Sequence, residues 1–147
     1  MSTQSSVVNS YNEWDPLEEV VVGVLDGAVD VDWEIALEAV TPVENMEAAR
    51  KSHMKYGGKR ISKEEQVVAQ KELDEFVHIL EQEGVNVRRP TPLDHAAPFG
   101  GPGWSSKGGN CQANPRDTLI VFGDEIIEAT MSWRSRYFEV FAYPARC

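Results

Sequence analysis

Three kinds of side chain in the last third of this sequence could do chemistry together. Asp117 offers a carboxylate, Arg134 and Arg136 offer guanidiniums, and Cys111 offers a thiol. A carboxylate and a planar guanidinium recognise each other through parallel charge-assisted hydrogen bonds. A site holding both could therefore receive a ligand carrying both charges. The plain alternatives are that Asp117 is a strand-end or turn residue and that the arginines form a surface salt bridge or a contact to Glu139. A reactive thiol needs an electropositive setting or a base beside it. Cys111 sits in a loop and could line a pocket, but it has no evident activator. Cys147 carries the chain-terminal carboxylate, which opposes thiolate formation, and Arg146 alone does not offset that.

The other candidates read as structural. His78 follows Asp74 by four residues on one flank of a helical pattern, the spacing of a solvated pair. His53 and His95 stand in loops without metal-ligand spacing, so no metal site is expected. The glycine clusters at 100–103 and 108–109 do not join a strand to a helix in the way a phosphate cradle requires.

For Asp117 to meet an arginine, the elements between them must fold back. Residues 118–122 and 125–129 are β-branched and aliphatic runs, and Gly123-Asp124 between them is a two-residue hairpin signal. Pairing Phe122 with Glu125 fixes the register and sets Asp117 opposite Thr130. The chain then returns to the rim where Asp117 lies, and Arg134 and Arg136 follow within a turn or two. Residues 133–140 read as a helix and 141–143 as the start of another extended segment.

Upstream, residues 18–25 form a strand whose consecutive valines suggest burial on both faces. Residues 33–40 fit a short helix ended by Thr41-Pro42. Residues 45–60 begin helically and break at Gly57-Gly58. The clearest helix follows. Ser62 and Glu65 form a capping box, Gly84 stands where a left-handed terminal residue is wanted, and Ala69, Leu73, Phe76, Val77 and Leu80 share one face. Residues 85–89 are a strand stopped by Pro90, so strand, crossover helix and strand make an α/β unit. Residues 91–116 are a long, glycine- and proline-rich loop, of the kind that is usually functional or disordered. Residues 1–6 are polar and expected to fray.

A chain of 147 residues is about one domain, with ordinary apolar (41%) and charged (26%) content. Its formal net charge of −10 opposes unaided binding to nucleic acid or to an anionic membrane surface. No apolar run approaches the ~20 residues that span a bilayer. The first residues show neither a basic and apolar leader nor the arginines of a transit peptide, which leaves the cytoplasm as the expected location.

Three stretches carry a family resemblance: NSYNEWDPLEEVVVG near the start, EGVNVRRP after the long helix, and PRDTLIVFGDEIIEATMSWRSRYFE. Together and in this order they resemble the opening of the glycine amidinotransferase family, with the middle (26–58 and 92–109) fitting poorly. The resemblance implies an α/β-propeller of the pentein type, built from ββαβ modules, of which this chain would hold roughly one and a half as the N-terminal part of a single domain. It implies transfer of the amidino group of L-arginine to an amine acceptor such as glycine through a covalent cysteine intermediate, without cofactor or metal. Asp117 matches the family's PRD aspartate, a guanidinium-binding carboxylate. Arg136 falls where related deiminases hold the substrate α-carboxylate. The catalytic aspartate, histidine and cysteine would lie beyond Cys147, and the full-length enzyme could be a homodimer.

The resemblance, with no nucleophile–base pair in the chain, implies an N-terminal amidinotransferase fragment that is inactive alone. A non-catalytic arginine- or guanidinium-binding module, or part of an arginine deiminase-like hydrolase, stand as alternatives. A propeller cut after its second hairpin would leave apolar faces uncovered, so marginal stability or self-association is expected of the isolated chain.

Overall fold

The computed structural model describes residues 8–143. The expected fraying of residues 1–6 and everything said of Cys147 lie outside the described residues. The fold is α/β, and among the described residues its strands form three two-stranded sheets, none of them closed.

Strand β1 (Glu19–Val21) pairs in parallel with β2 (Asn86–Arg88), Val20 standing beside Val87. Parallel neighbours need a long crossover. Here it consists of α1 (Ile35–Val40), a 3₁₀ turn (Val43–Asn45), α2 (Met46–Tyr56) and α3 (Lys63–Gln82). Helix α2 is the helical start expected within residues 45–60, and it ends at Gly57 as the Gly57-Gly58 break requires. Helix α3 carries the expected capping box. The Ser62 hydroxyl accepts from the Glu65 amide, the Glu65 carboxylate accepts from the Ser62 amide, and Gly84 takes φ +85°. Its Ala69, Leu73, Val77 and Leu80 are half-buried while Phe76 is exposed, so the helix lies on the surface of the unit. The expected His78–Asp74 pair does not form. Asp74 accepts instead from Gln70 and Arg89, and His78 bonds Gln82 one turn on.

Beyond β1 the chain continues alongside a third segment. Val24 bridges Gln112 in antiparallel sense, and the Val29 amide donates to the Asn110 carbonyl at 2.8 Å. The approach is so close that a Cβ built on Gly23 would stand 2.2 Å from the Gln112 carbonyl oxygen. Val22, Ala28, Val29, Val31, Leu37, Val85, Cys111 and Ala142 form the core around this seam. The strand residues 19–21 are themselves only half-buried, less than their valine run suggested.

Within the long loop of residues 91–116, β3 (Phe99–Gly101) and β4 (Trp104–Ser106) make a small hairpin. Its Phe99 and Trp104 pack against Phe138 and Tyr137, with ring centroids 4.9 and 5.4 Å apart. A single helical turn, α4 (Pro115–Thr118), then leads into the hairpin of β5 (Leu119–Phe122) and β6 (Glu125–Glu128). Phe122 pairs with Glu125 as the two-residue loop requires, and Gly123 has φ +62°. The turn is held from outside, because Ser10 and Gly123 exchange both backbone hydrogen bonds at 2.8 Å.

The C-terminal part departs from expectation. Residues 133–140 are not one α-helix but two 3₁₀ turns, Arg134–Arg136 and Glu139–Ala142, and 141–143 do not begin a strand. Local propensity is outweighed here by packing. Tyr137 and Phe138 are drawn onto the β3–β4 hairpin, and tight three-residue turns suit those anchors better than a continuous helix.

Candidate functional site

Asp117 is set by α4. The sequence Asn114-Pro115-Arg116-Asp117 forms this turn because proline's fixed φ favours the first helical position and its missing N–H costs nothing there. Asp117 therefore stands on a helical turn that precedes the strand, not in the strand mouth itself. Its amide donates to the Asn114 carbonyl, while the Ala129 amide donates to the Thr118 carbonyl and extends the hairpin pairing to the edge of the turn.

Arg136 comes to the same place from the first C-terminal 3₁₀ turn. Its Nη1 donates to Asp117 Oδ2 at 2.8 Å. Its Nε donates to both oxygens of Glu139 at 3.0 Å, and its Nη2 donates to Glu139 Oε2 at 2.8 Å. The guanidinium is thus shared between two carboxylates on different elements. Glu139 is 3% exposed and the Arg136 side chain 11%, whereas the Asp117 side chain keeps 48% of its surface. The Cys111 backbone N–H also serves Glu139, tying the end of the long loop to the same group.

The electrostatics follow from burial and pairing. Burial works against the Arg136 charge, but hydrogen bonds to Glu139 and Asp117 and their charges outweigh it, so its pKa moves upward and it stays protonated. Burial raises the Glu139 carboxyl, and the bonds from Arg136 only partly oppose this. Burial likewise raises Cys111, with the Glu139 charge acting in the same direction. At neutral pH its thiol is protonated, which is the wrong state for a nucleophile. Tyr143 beside the cluster is also raised, first by burial and then by the Glu139 charge.

Arg134 goes elsewhere. Its amide donates to Glu34 Oε2 at 3.0 Å, and the residue lines a cavity of about 90 Å³ with Asp32, Trp33, Glu34, Ser105 and Ser106. The histidines are separate as well. His53 lies in α2 rather than in the loop expected, with its Nδ1 2.9 Å from the Val31 carbonyl, and His95 is buried beside Gly109. Among the described residues no group of three or more His, Cys, Asp or Glu could hold a metal ion, and no helix is long and apolar enough to cross a membrane.

The structure thus brings together Asp117 and Arg136, the two residues singled out from sequence. It also forms the Arg136 contact to Glu139 that the sequence offered as the plain alternative, and it brings Tyr143 beside the cluster. The i, i+3 spacing of Arg136 and Glu139 was the available signal for Glu139, and it fits a surface pair equally well. Nothing local signals Tyr143.

No protein-family model matches the chain. It is 49% identical over 140 residues to the L-arginine:L-lysine amidinotransferase of Pseudomonas savastanoi pv. phaseolicola, which covers 95% of this chain and 37% of that protein. It is 43% identical over 136 residues to the mitochondrial glycine amidinotransferase of Danio rerio, covering 92% of the chain and 31% of that protein. Among solved structures, an amidinotransferase of the saxitoxin biosynthetic pathway from Microseira wollei superposes with a TM-score of 0.86 at 51% identity, covering 92% of this chain and 38% of that one. The inosamine-phosphate amidinotransferase of Streptomyces griseus superposes with a TM-score of 0.83 at 36% identity, covering 95% and 39%. The chain therefore spans 31–39% of the length of these relatives.

Proposed function

We propose that this chain, a homologue of the amidinotransferases, supplies the guanidinium-binding wall of such an enzyme. In this reading the complete protein moves the amidino group of L-arginine to an amine acceptor such as glycine through a covalent cysteine intermediate. The groups that do the covalent chemistry belong to sequence beyond these 147 residues. The observation that carries the reading is the 49% identity to an amidinotransferase across nearly the whole chain.

The local chemistry supports it. Asp117 is half-exposed, and its Oδ1 has no hydrogen-bond partner among the described residues, while Oδ2 is held by Arg136. An exposed carboxylate oxygen on an otherwise anchored side chain suits a planar cation that binds through N–H donors. Arg136 belongs to the same site. Its Nε, Nη1 and Nη2 already donate to Asp117 and Glu139, so its main contribution is to hold Asp117, and only its remaining N–H bonds could reach a substrate carboxylate. Cys111, protonated and buried, is not the nucleophile in this reading.

The fold that goes with this function is a pentein propeller of ββαβ modules, here present in part. A homodimer of the longer polypeptide, located in the cytoplasm, completes the reading and is checked by light scattering and cell fractionation. The decisive experiment measures ornithine from arginine and glycine. The 147-residue chain alone should form none, and the longer polypeptide should form it in an Asp117-dependent way. Turnover by the short chain, or full activity of the longer one with Asp117→Asn, would overturn the proposal.

A further inference from the structure

We propose that Glu139 is a positioning residue that keeps one oxygen of Asp117 open for a cationic ligand; this rests on the reading of Asp117 as the guanidinium receptor. A carboxylate 3% exposed is costly to bury unless it is paired and hydrogen-bonded. Glu139 meets that condition by accepting from Arg136 Nε and Nη2 and from the Cys111 amide. The pairing decides how Arg136 meets Asp117. With Nε and Nη2 drawn to Glu139, only Nη1 is left to face Asp117, and the contact is to Oδ2 alone.

Without Glu139 the same guanidinium could close onto Asp117 with two parallel bonds, the geometry an arginine fork favours. That pair would be neutral, with both oxygens occupied. With Glu139 present, Asp117, Arg136 and Glu139 sum to one negative charge, and the exposed member of the trio carries the unengaged oxygen. The arrangement therefore selects a guanidinium or ammonium group. Arg136 ends the first 3₁₀ turn and Glu139 begins the second, and the guanidinium reaches the carboxylate across the two residues between them.

The test uses the complete amidinotransferase polypeptide and steady-state kinetics with arginine as the varied substrate. Asp117→Asn should lower kcat/KM for arginine. Glu139→Gln keeps the size but not the charge, and should raise KM for arginine about tenfold while kcat changes far less, the pattern expected when ground-state binding is lost. Glu139→Asp keeps the charge and should recover part of that loss. An unchanged KM in Glu139→Gln, alongside an impaired Asp117→Asn, overturns the role of Glu139 and leaves the reading of Asp117 intact. An unimpaired Asp117→Asn overturns that reading instead. Should Glu139→Gln fail to fold, Glu139→Ala is read in the same way: a raised KM for arginine supports the proposal, and a wild-type KM overturns it.

Discussion

Two pieces of sheet in this protein are built from the same kinds of side chain and meet different fates. Along β1 and its continuation, the apolar residues Val22, Ala28 and Val29 are 5% exposed or less, because β2 lies on one side and residues 110–112 on the other. In the β5–β6 hairpin, Ile120, Val121, Phe122, Ile126 and Ile127 are all between 41% and 74% exposed. Alternating residues point to opposite faces of a strand, so neither face of the hairpin is covered. A strong turn and matched β-branched residues suffice to specify a hairpin, but they do not bury it. Isolated hairpins are marginal in water. This one is pinned at its tip by Ser10 and at its base by the Thr118–Ala129 bond.

The contrast should appear directly in stability measured by urea unfolding. The largest effect is expected at the seam. Gly23→Ala would place a methyl 2.2 Å from a backbone oxygen that has no rotamer to move away, and should cost about 3 kcal/mol or more. Next, Leu37→Ala, at a 5% exposed position, should cost about 2–4 kcal/mol, while Ile127→Ala, 48% exposed, should cost under about 0.5 kcal/mol. Equal costs would mean that the hairpin faces are covered in solution, and a cost that grows with protein concentration would identify self-association as the cover. A smaller effect belongs to the crossover. Ser62→Ala removes the cap of α3 and should cost about 1 kcal/mol, leaving the hairpin amides unchanged in hydrogen exchange.

The smallest effects are those of pH, and they lie on the buried side of the comparison. Burial pushes His95 below its ordinary value of 6.5, with Asp94 opposing and Arg60 adding to the shift. The unfolded chain then takes up a proton that the folded chain refuses, so stability should be full above pH 6.5 and decline as pH falls below it. Hydrogen bonding by Arg88 draws Glu19 below the ordinary 4.5 against the opposing effect of burial, with the Arg88 charge and Asn86 adding to it. That contribution is present above pH 4.5 and lost as pH falls through the lowered value. Replacing His95 with glutamine should flatten the first decline only. A midpoint that is insensitive to pH between 7 and 5 would count against the burial of His95.

Some of this was written locally and some was not. The capping box at Ser62, the left-handed Gly84 and the Gly123-Asp124 turn each depend on residues within a few positions of one another, and all three formed as their sequence indicates. The parallel pairing of β1 and β2 followed from strand, crossover and strand. The proximity of Asp117 and Arg136 was also legible, because the hairpin register carries the chain back to its own start. The helix expected at 133–140 was not realised; its aromatic residues answer to Phe99 and Trp104 as well as to their own neighbours. The closeness of Gln112 to Gly23, and of Ser10 to Gly123, left no signature in either partner alone.

The sequence by itself determined the turns, the caps and the return of an arginine-bearing segment toward Asp117, because short-range geometry leaves few alternatives there; it did not separate Arg134 from Arg136. Only the tertiary structure decided how the charges are shared. Whether Arg136 faces a ligand, Asp117 or Glu139 depends on which groups lose their water together. Burial is a property of the assembled elements, and at this site it placed Glu139 inside, Arg136 across it, and Asp117 half-exposed with one oxygen held by Arg136.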